Sequence, residues 1–123
     1  MVLKGLGRHL IVEMWGVDPA LLDDEERLRE MLLKAAEAAG GRIVGVLFHK
    51  FNPQGVTGVV AIAESHISIH TWPEHGYAAI DIFTCGSHVD PWKAFEYSMR
   101  ELRPRSVNVF EIKRGVMPEG DEF

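Results

Sequence analysis

Residues 56–86 read VTGVVAIAESHISIHTWPEHGYAAIDIFTCG, and the way this stretch folds decides the architecture. It divides into three runs of strand length, Val56–Ala63, His66–Thr71 and Tyr77–Thr84, rich in Val, Ile and Ala. The links between the runs are too short for most parallel crossovers, which need about a dozen residues, so neighbouring runs are expected to pair antiparallel. Outward from this meander, further strands are expected at Ile43–Phe51, His9–Trp15 and Val107–Ile112. Two helices lie between them. The first is expected to start at Asp23, an N-cap candidate with Glu26 at capping-box spacing, and to end at Gly40-Gly41. Leu28, Met31, Leu32, Ala35 and Ala39 recur along it at helical spacing and give one apolar stripe for a sheet. The second helix starts at Asp90-Pro91, an N-cap before the residue favoured at the first helical position, and aligns Ala94, Phe95, Ser98, Met99 and Leu102. The expected fold is α+β, a two-layer sandwich of a largely antiparallel sheet with two main helices on one face.

The 123 residues are 46% apolar and 25% charged, which suits one soluble domain spanning 1–123 with its own core. Thirteen basic against 18 acidic residues give a net charge of −5, and the basic residues are scattered among acidic ones. That pattern argues against nucleic acid as the main partner and suits a cationic small molecule. No apolar run approaches the roughly 20 residues of a membrane span, so no membrane partner is expected. Met1–Val12 turns polar too soon for a secretory signal. The single cysteine, Cys85, rules out an internal disulfide, and a lone thiol fits a cytoplasmic location. Pro118–Phe123 are expected to fray.

Chemistry-bearing side chains concentrate between Gly58 and Gly86. Residues 63–75 hold Ser65, Ser68, His66, His70, His75, Glu64 and Glu74. As a strand this segment sets Ile67 and Ile69 on one face and His66, Ser68 and His70 on the other, which equally describes a half-exposed strand. Cys85 closes the next run, where a buried thiol is as readily an inert small hydrophobe as a reactive group. A Cys/His metal site is not expected. No CxxC is present, and His66 and His70 on a strand lie about 13 Å apart.

The run from Glu64 to Glu74, then Gly76 to Gly86, resembles the small prokaryotic S-adenosylmethionine decarboxylases, pyruvoyl enzymes made as proenzymes. The likeness continues through Gly7-Arg8-His9-Leu10, Phe48-His49-Lys50-Phe51, Gly55–Val60 and Asp90–Phe95, and so covers about nine-tenths of the chain.

The resemblance implies self-cleavage between Glu64 and Ser65 into a β chain, 1–64, and an α chain, 65–123. Ser65 would become a pyruvoyl group, the electron sink for decarboxylation, with neither pyridoxal phosphate nor metal required. It implies His70 as the processing histidine, and Thr57 at a position where relatives often carry a second processing serine. Val17, where relatives often have cysteine, departs without touching a proposed role. Cys85 matches the acid that reprotonates the substrate carbon; thiols, unlike ordinary carboxylates, hold a transferable proton near neutrality. Phe51 and Trp72 match the two aromatic faces that stack on adenine, Phe51 from a partner chain, and Glu74 matches the acid that holds the ribose hydroxyls. His9 and Glu13 are weaker candidates for substrate contacts. A homodimer with active sites at its interface is implied too, making decarboxylated S-adenosylmethionine, the aminopropyl donor for spermidine and other polyamines. Two alternatives stay open: a paralogous pyruvoyl-dependent arginine decarboxylase, and a binding domain whose serine is never processed.

Overall fold

The computed structural model describes residues 5–117; the expectation for Pro118–Phe123 lies outside the described residues. Six strands form one sheet: β1 (Gly5–Trp15), β2 (Ile43–Lys50), β3 (Val56–Ile62), β4 (Ser65–Trp72), β5 (Tyr77–Cys85) and β6 (Ser106–Val116). Their spatial order is β2-β3-β4-β5-β1-β6, and every neighbouring pair is antiparallel. Helices α1 (Pro19–Leu22) and α2 (Glu25–Ala38) lie between β1 and β2, and α3 (Pro91–Leu102) lies between β5 and β6. A 3₁₀ turn, Pro73–His75, joins β4 to β5. This is the α+β arrangement expected, with α1 and the 3₁₀ turn added.

The alternation along the strands decides where the core sits. Leu10, Val12 and Met14 of β1, Ile67 and Ile69 of β4, and Ile80 and Ile82 of β5 are all buried on one face. Against them pack Leu28, Met31, Leu32, Ala35 and Ala36 of α2, and Ala94, Phe95 and Leu102 of α3. Both helix stripes are as the spacing predicts. The other face of the sheet carries no helix among the described residues and shows Trp15, Leu47, Phe110 and Ile112 to solvent. No helix among the described residues is long and apolar enough to cross a membrane.

One local expectation needs correction. Asp24, not Asp23, caps α2, its carboxylate accepting from the Arg27 N–H at 3.1 Å. Asp23 ends α1, a turn that Asp18 caps and Pro19 starts, and its carboxylate turns to the β2–β3 loop. There it accepts from the Gly55 N–H at 2.9 Å and the Lys50 ammonium at 3.1 Å. Those two donors, the Gly55 N–H first, hold the Asp23 carboxyl below the usual carboxylate range. The loop carrying Phe51 is thereby tied to the helical layer. At the crossing of β2 and β3, the Phe48 ring lies over Gly58, where a Cβ would come within 2.1 Å of the ring. Only glycine admits that ring.

Candidate active site

Two residues, Ala63 and Glu64, make the whole connection between β3 and β4, since Ile62 pairs with Ser65. Glu64 occupies the left-handed region with φ 64°. That conformation costs a non-glycine residue on the order of 1–2 kcal/mol, so strain sits on the residue whose carbonyl precedes Ser65. Ser65 opens β4 at 9% exposure, facing the helical layer together with Ile67 and Ile69. Its Oγ accepts a hydrogen bond of 3.2 Å from the Cys85 N–H. The structure therefore brings Glu64, Ser65 and Cys85 to one end of the β4–β5 pair. The Cys85 thiol is free and half-buried.

The other candidates gather at the opposite end. Thr57 pairs with His70 across β3 and β4, and the Thr57 hydroxyl and His70 Nδ1 lie 3.0 Å apart. Phe51, Thr57, His70, Trp72 and Glu74 line one cavity of about 300 Å³. Phe51 is 47% and Trp72 40% exposed, so both present open aromatic faces. The sequence candidates for processing support and for nucleoside contact thus share one wall.

The two groups do not meet within one chain. Five residues separate Ser65 from His70 along β4, about 16 Å at strand pitch, and their side chains leave opposite faces of the sheet. His66 and Ser68 share the helix-free face with His70, as the alternation predicts.

That face also holds pairs that sequence reasoning did not connect. His9 Nε2 lies 3.0 Å from Asp81 Oδ1, and the Tyr77 hydroxyl donates to Glu13. Burial first, then the Glu13 carboxylate, push the Tyr77 phenol up to about 12, which keeps it protonated as a donor. The weaker candidates His9 and Glu13 are therefore engaged with neighbours across the β1–β5 pair. Tyr77 also stacks on Trp15 with ring centroids 4.4 Å apart and lies 5.2 Å from Trp72. The signal that would have found this row is the β1–β5 register, which a single sequence does not print. A larger cavity, about 720 Å³, opens beside the Ser65 end of β5 and is lined by Leu6, Arg8, Thr84, Ser87 and Glu111. Arg8 grips Glu111 with two hydrogen bonds of 2.9 and 3.1 Å, and the Trp92 indole N–H adds a third of 2.8 Å. Arg8 first, then Trp92, hold the Glu111 carboxyl below its ordinary range. Among the described residues, no group of three His, Cys, Asp or Glu side chains is placed to hold a metal ion.

A profile of the S-adenosylmethionine decarboxylase family matches residues 8–115. An S-adenosylmethionine decarboxylase proenzyme of Caldanaerobacter subterraneus is 52% identical over 114 residues, covering 93% of this chain and 92% of that protein. Another, from Methanococcus maripaludis, is 49% identical over 119 residues, covering 97% of this chain and 98% of that one. The crystal structure of the adenosylmethionine decarboxylase from Aquifex aeolicus superposes with a TM-score of 0.89 at 38% identity, covering 98% of this chain and 99% of that one.

Proposed function

The chain belongs to the S-adenosylmethionine decarboxylase family, and from that premise we propose that it cuts itself between Glu64 and Ser65 and then decarboxylates S-adenosylmethionine to the aminopropyl donor of polyamine synthesis. The observation that carries the reading is the Glu64–Ser65 turn. A residue held in the left-handed region, Glu64, stands beside a buried serine hydroxyl that already accepts a backbone N–H.

Self-cleavage then runs as follows. Ser65 Oγ attacks the Glu64 carbonyl carbon, the C–N bond breaks, and the proton lost by the hydroxyl ends on the freed nitrogen, leaving an ester. Loss of a proton from the residue 65 Cα expels the Glu64 carboxylate and leaves dehydroalanine. Tautomerisation and addition of water release ammonia and leave a pyruvoyl group on 65–123, with 1–64 as the second chain of the same domain. Residues at this end suit that group: a buried hydroxyl to generate it, and a free thiol on the neighbouring strand. When formed, it serves as the electron sink for loss of carbon dioxide. Cys85 supplies the proton that returns to the substrate carbon, and a reducing, cytoplasmic setting keeps it a thiol.

The proton acceptor for cleavage is His70, backed by Thr57, but it belongs to a second copy of the chain. What supports that assignment is the span of about 16 Å, five residues at strand pitch, between Ser65 and His70 of the same chain. A C₂ pair joined through the helix-free face sets the His70 end of one copy over the Ser65 end of the other and covers Trp15, Leu47, Phe110 and Ile112; the Ser65 hydroxyl, which faces the helical layer in the single chain, turns toward that seam for the proton transfer. Phe51 and Trp72, which line one cavity of the same copy rather than coming from two chains, then close on the adenine, with Glu74 of that cavity holding the ribose hydroxyls.

Two measurements test the substrate and the acid. Labelled carbon dioxide should be released from S-adenosylmethionine and not from arginine, and Trp72→Ala should weaken an adenosine analogue by about 1 to 3 kcal/mol. Release from arginine alone would overturn the substrate assignment. Cys85→Ser, whose hydroxyl is a far weaker acid at similar volume, should still cleave but turn over slowly. It should also accumulate alanine at residue 65, because a late proton reaches the wrong carbon. Wild-type turnover without excess alanine, read by mass analysis of 65–123, would make Cys85 a packing residue.

A further inference from the structure

Thr84 directly precedes Cys85 in β5 and is 1% exposed. Its Oγ1 is buried with no hydrogen-bond partner among the described residues. A buried hydroxyl in that state bears the full desolvation penalty of an unmade hydrogen bond, and valine, its isostere, would bear none. Stability alone therefore gives no reason for a hydroxyl here.

Its position supplies one. His66 pairs with Phe83, and continuing that register by one residue sets Ser65 against Thr84. Both side chains are buried and face the helical layer. Directly opposed residues of an antiparallel pair place their Cβ atoms about 5 Å apart. The next residue, Cys85, already holds Ser65 Oγ through its N–H. The unpartnered hydroxyl thus faces the serine of the scissile bond from the neighbouring strand.

We propose that Thr84 is a hydrogen-bond donor for self-cleavage, without a partner in the resting precursor and donating to the Glu64 carbonyl oxygen as that oxygen becomes negative. The inference rests on Ser65 being the nucleophile. As the Ser65 Oγ–carbon bond forms, the carbonyl electron pair moves onto oxygen, and the Thr84 O–H stabilises it without transferring its proton. When the carbonyl reforms, the C–N bond breaks and the nitrogen takes up the proton lost by Ser65. An interaction absent from the ground state and present in the transition state lowers the barrier by its whole strength.

The test compares Thr84→Val and Thr84→Ser in the full-length chain. Cleavage is followed on denaturing gels, and melting temperature is compared in a Ser65→Ala background, where every chain starts uncut. Thr84→Val should slow cleavage by about 100-fold or more, the loss typical of one oxyanion donor. The same change should leave the melting temperature unchanged or raise it. Thr84→Ser should cleave within about tenfold of the parent, since it retains the donor. Cleavage of Thr84→Val at the parental rate would overturn the proposal. So would slow cleavage that tracks a lowered melting temperature and is not restored by serine, which marks a packing role. Failure of the nucleophile reading looks different: the Ser65→Ala chain would itself be cut at 64/65.

Discussion

Ser65→Ala should leave the chain whole. The cleavage proposed here needs an oxygen on Cβ of residue 65, both to receive the acyl group and to leave with it. Alanine offers neither, and water attack on an ordinary peptide bond is too slow to substitute. The parent should resolve by intact mass into 1–64 and 65–123, the latter blocked at its first residue, while the variant stays as one species of 13.8 kDa. The substitution removes one oxygen from a site already tied into β4, so folding is preserved and the effect is chemical. It also leaves the strained Glu64 turn unrelieved. A variant still cut at 64/65 would end the reading of Ser65 as nucleophile.

The second large effect is one of restoration. His70→Ala, without its proton acceptor, should slow cleavage by about 100-fold or more, and the Ser65→Ala chain should not cut at all. Mixed, refolded together and allowed to pair, the two should restore each other in one direction. The His70→Ala chain keeps its serine and meets an intact His70 from the Ser65→Ala partner. With random pairing of equal amounts, about half of the His70→Ala chains should be cut, the share that sits in mixed C₂ dimers. The Ser65→Ala chain should remain whole. A tag on one chain separates the two by mass. No cutting in the mixture would place the acceptor within the chain that is cut, and the 16 Å span along β4, about five residues, would then have to close by refolding of that strand.

Much of the fold was legible because periodicity reports burial. The i, i+3, i+4 stripe of Leu28, Met31, Leu32 and Ala35 and the alternation of Ile67 and Ile69 depend on one element at a time. What was not legible depends on two elements together. Asp23 and Asp24 are equivalent as N-caps on paper; the structure separates them because Pro19 starts a short helix first and Gly55, more than 30 residues on, presents an N–H to Asp23. β1 and β6 run beyond their expected ends because each supports the other, from Gly5 with Val116 to Trp15 with Ser106. The candidate site divides likewise. Residue types drew attention to Ser65, His70 and Cys85, and the adjacency of Ser65 to Cys85 follows from the β4–β5 pairing. The approach of Thr57 to His70, the engagement of His9 by Asp81, and the solitude of the Thr84 hydroxyl are facts of register and packing.

The strand order has a consequence for what cleavage can do. Cutting at 64/65 assigns β1, β2 and β3 to one piece and β4, β5 and β6 to the other, yet β1 lies between β5 and β6. The pieces are laced rather than stacked: β3 against β4 makes one seam, and β1 makes two more. Neither half owns a complete sheet, and the helices covering that sheet come from both, α2 from the first and α3 from the second. A nick in the two-residue turn therefore frees two chain ends and no part of the body. If the chain is cut as proposed, the strand order requires that β1 already lie between β5 and β6 when the cut is made. Backbone continuity at that point serves assembly alone; once the sheet exists, the bond is expendable.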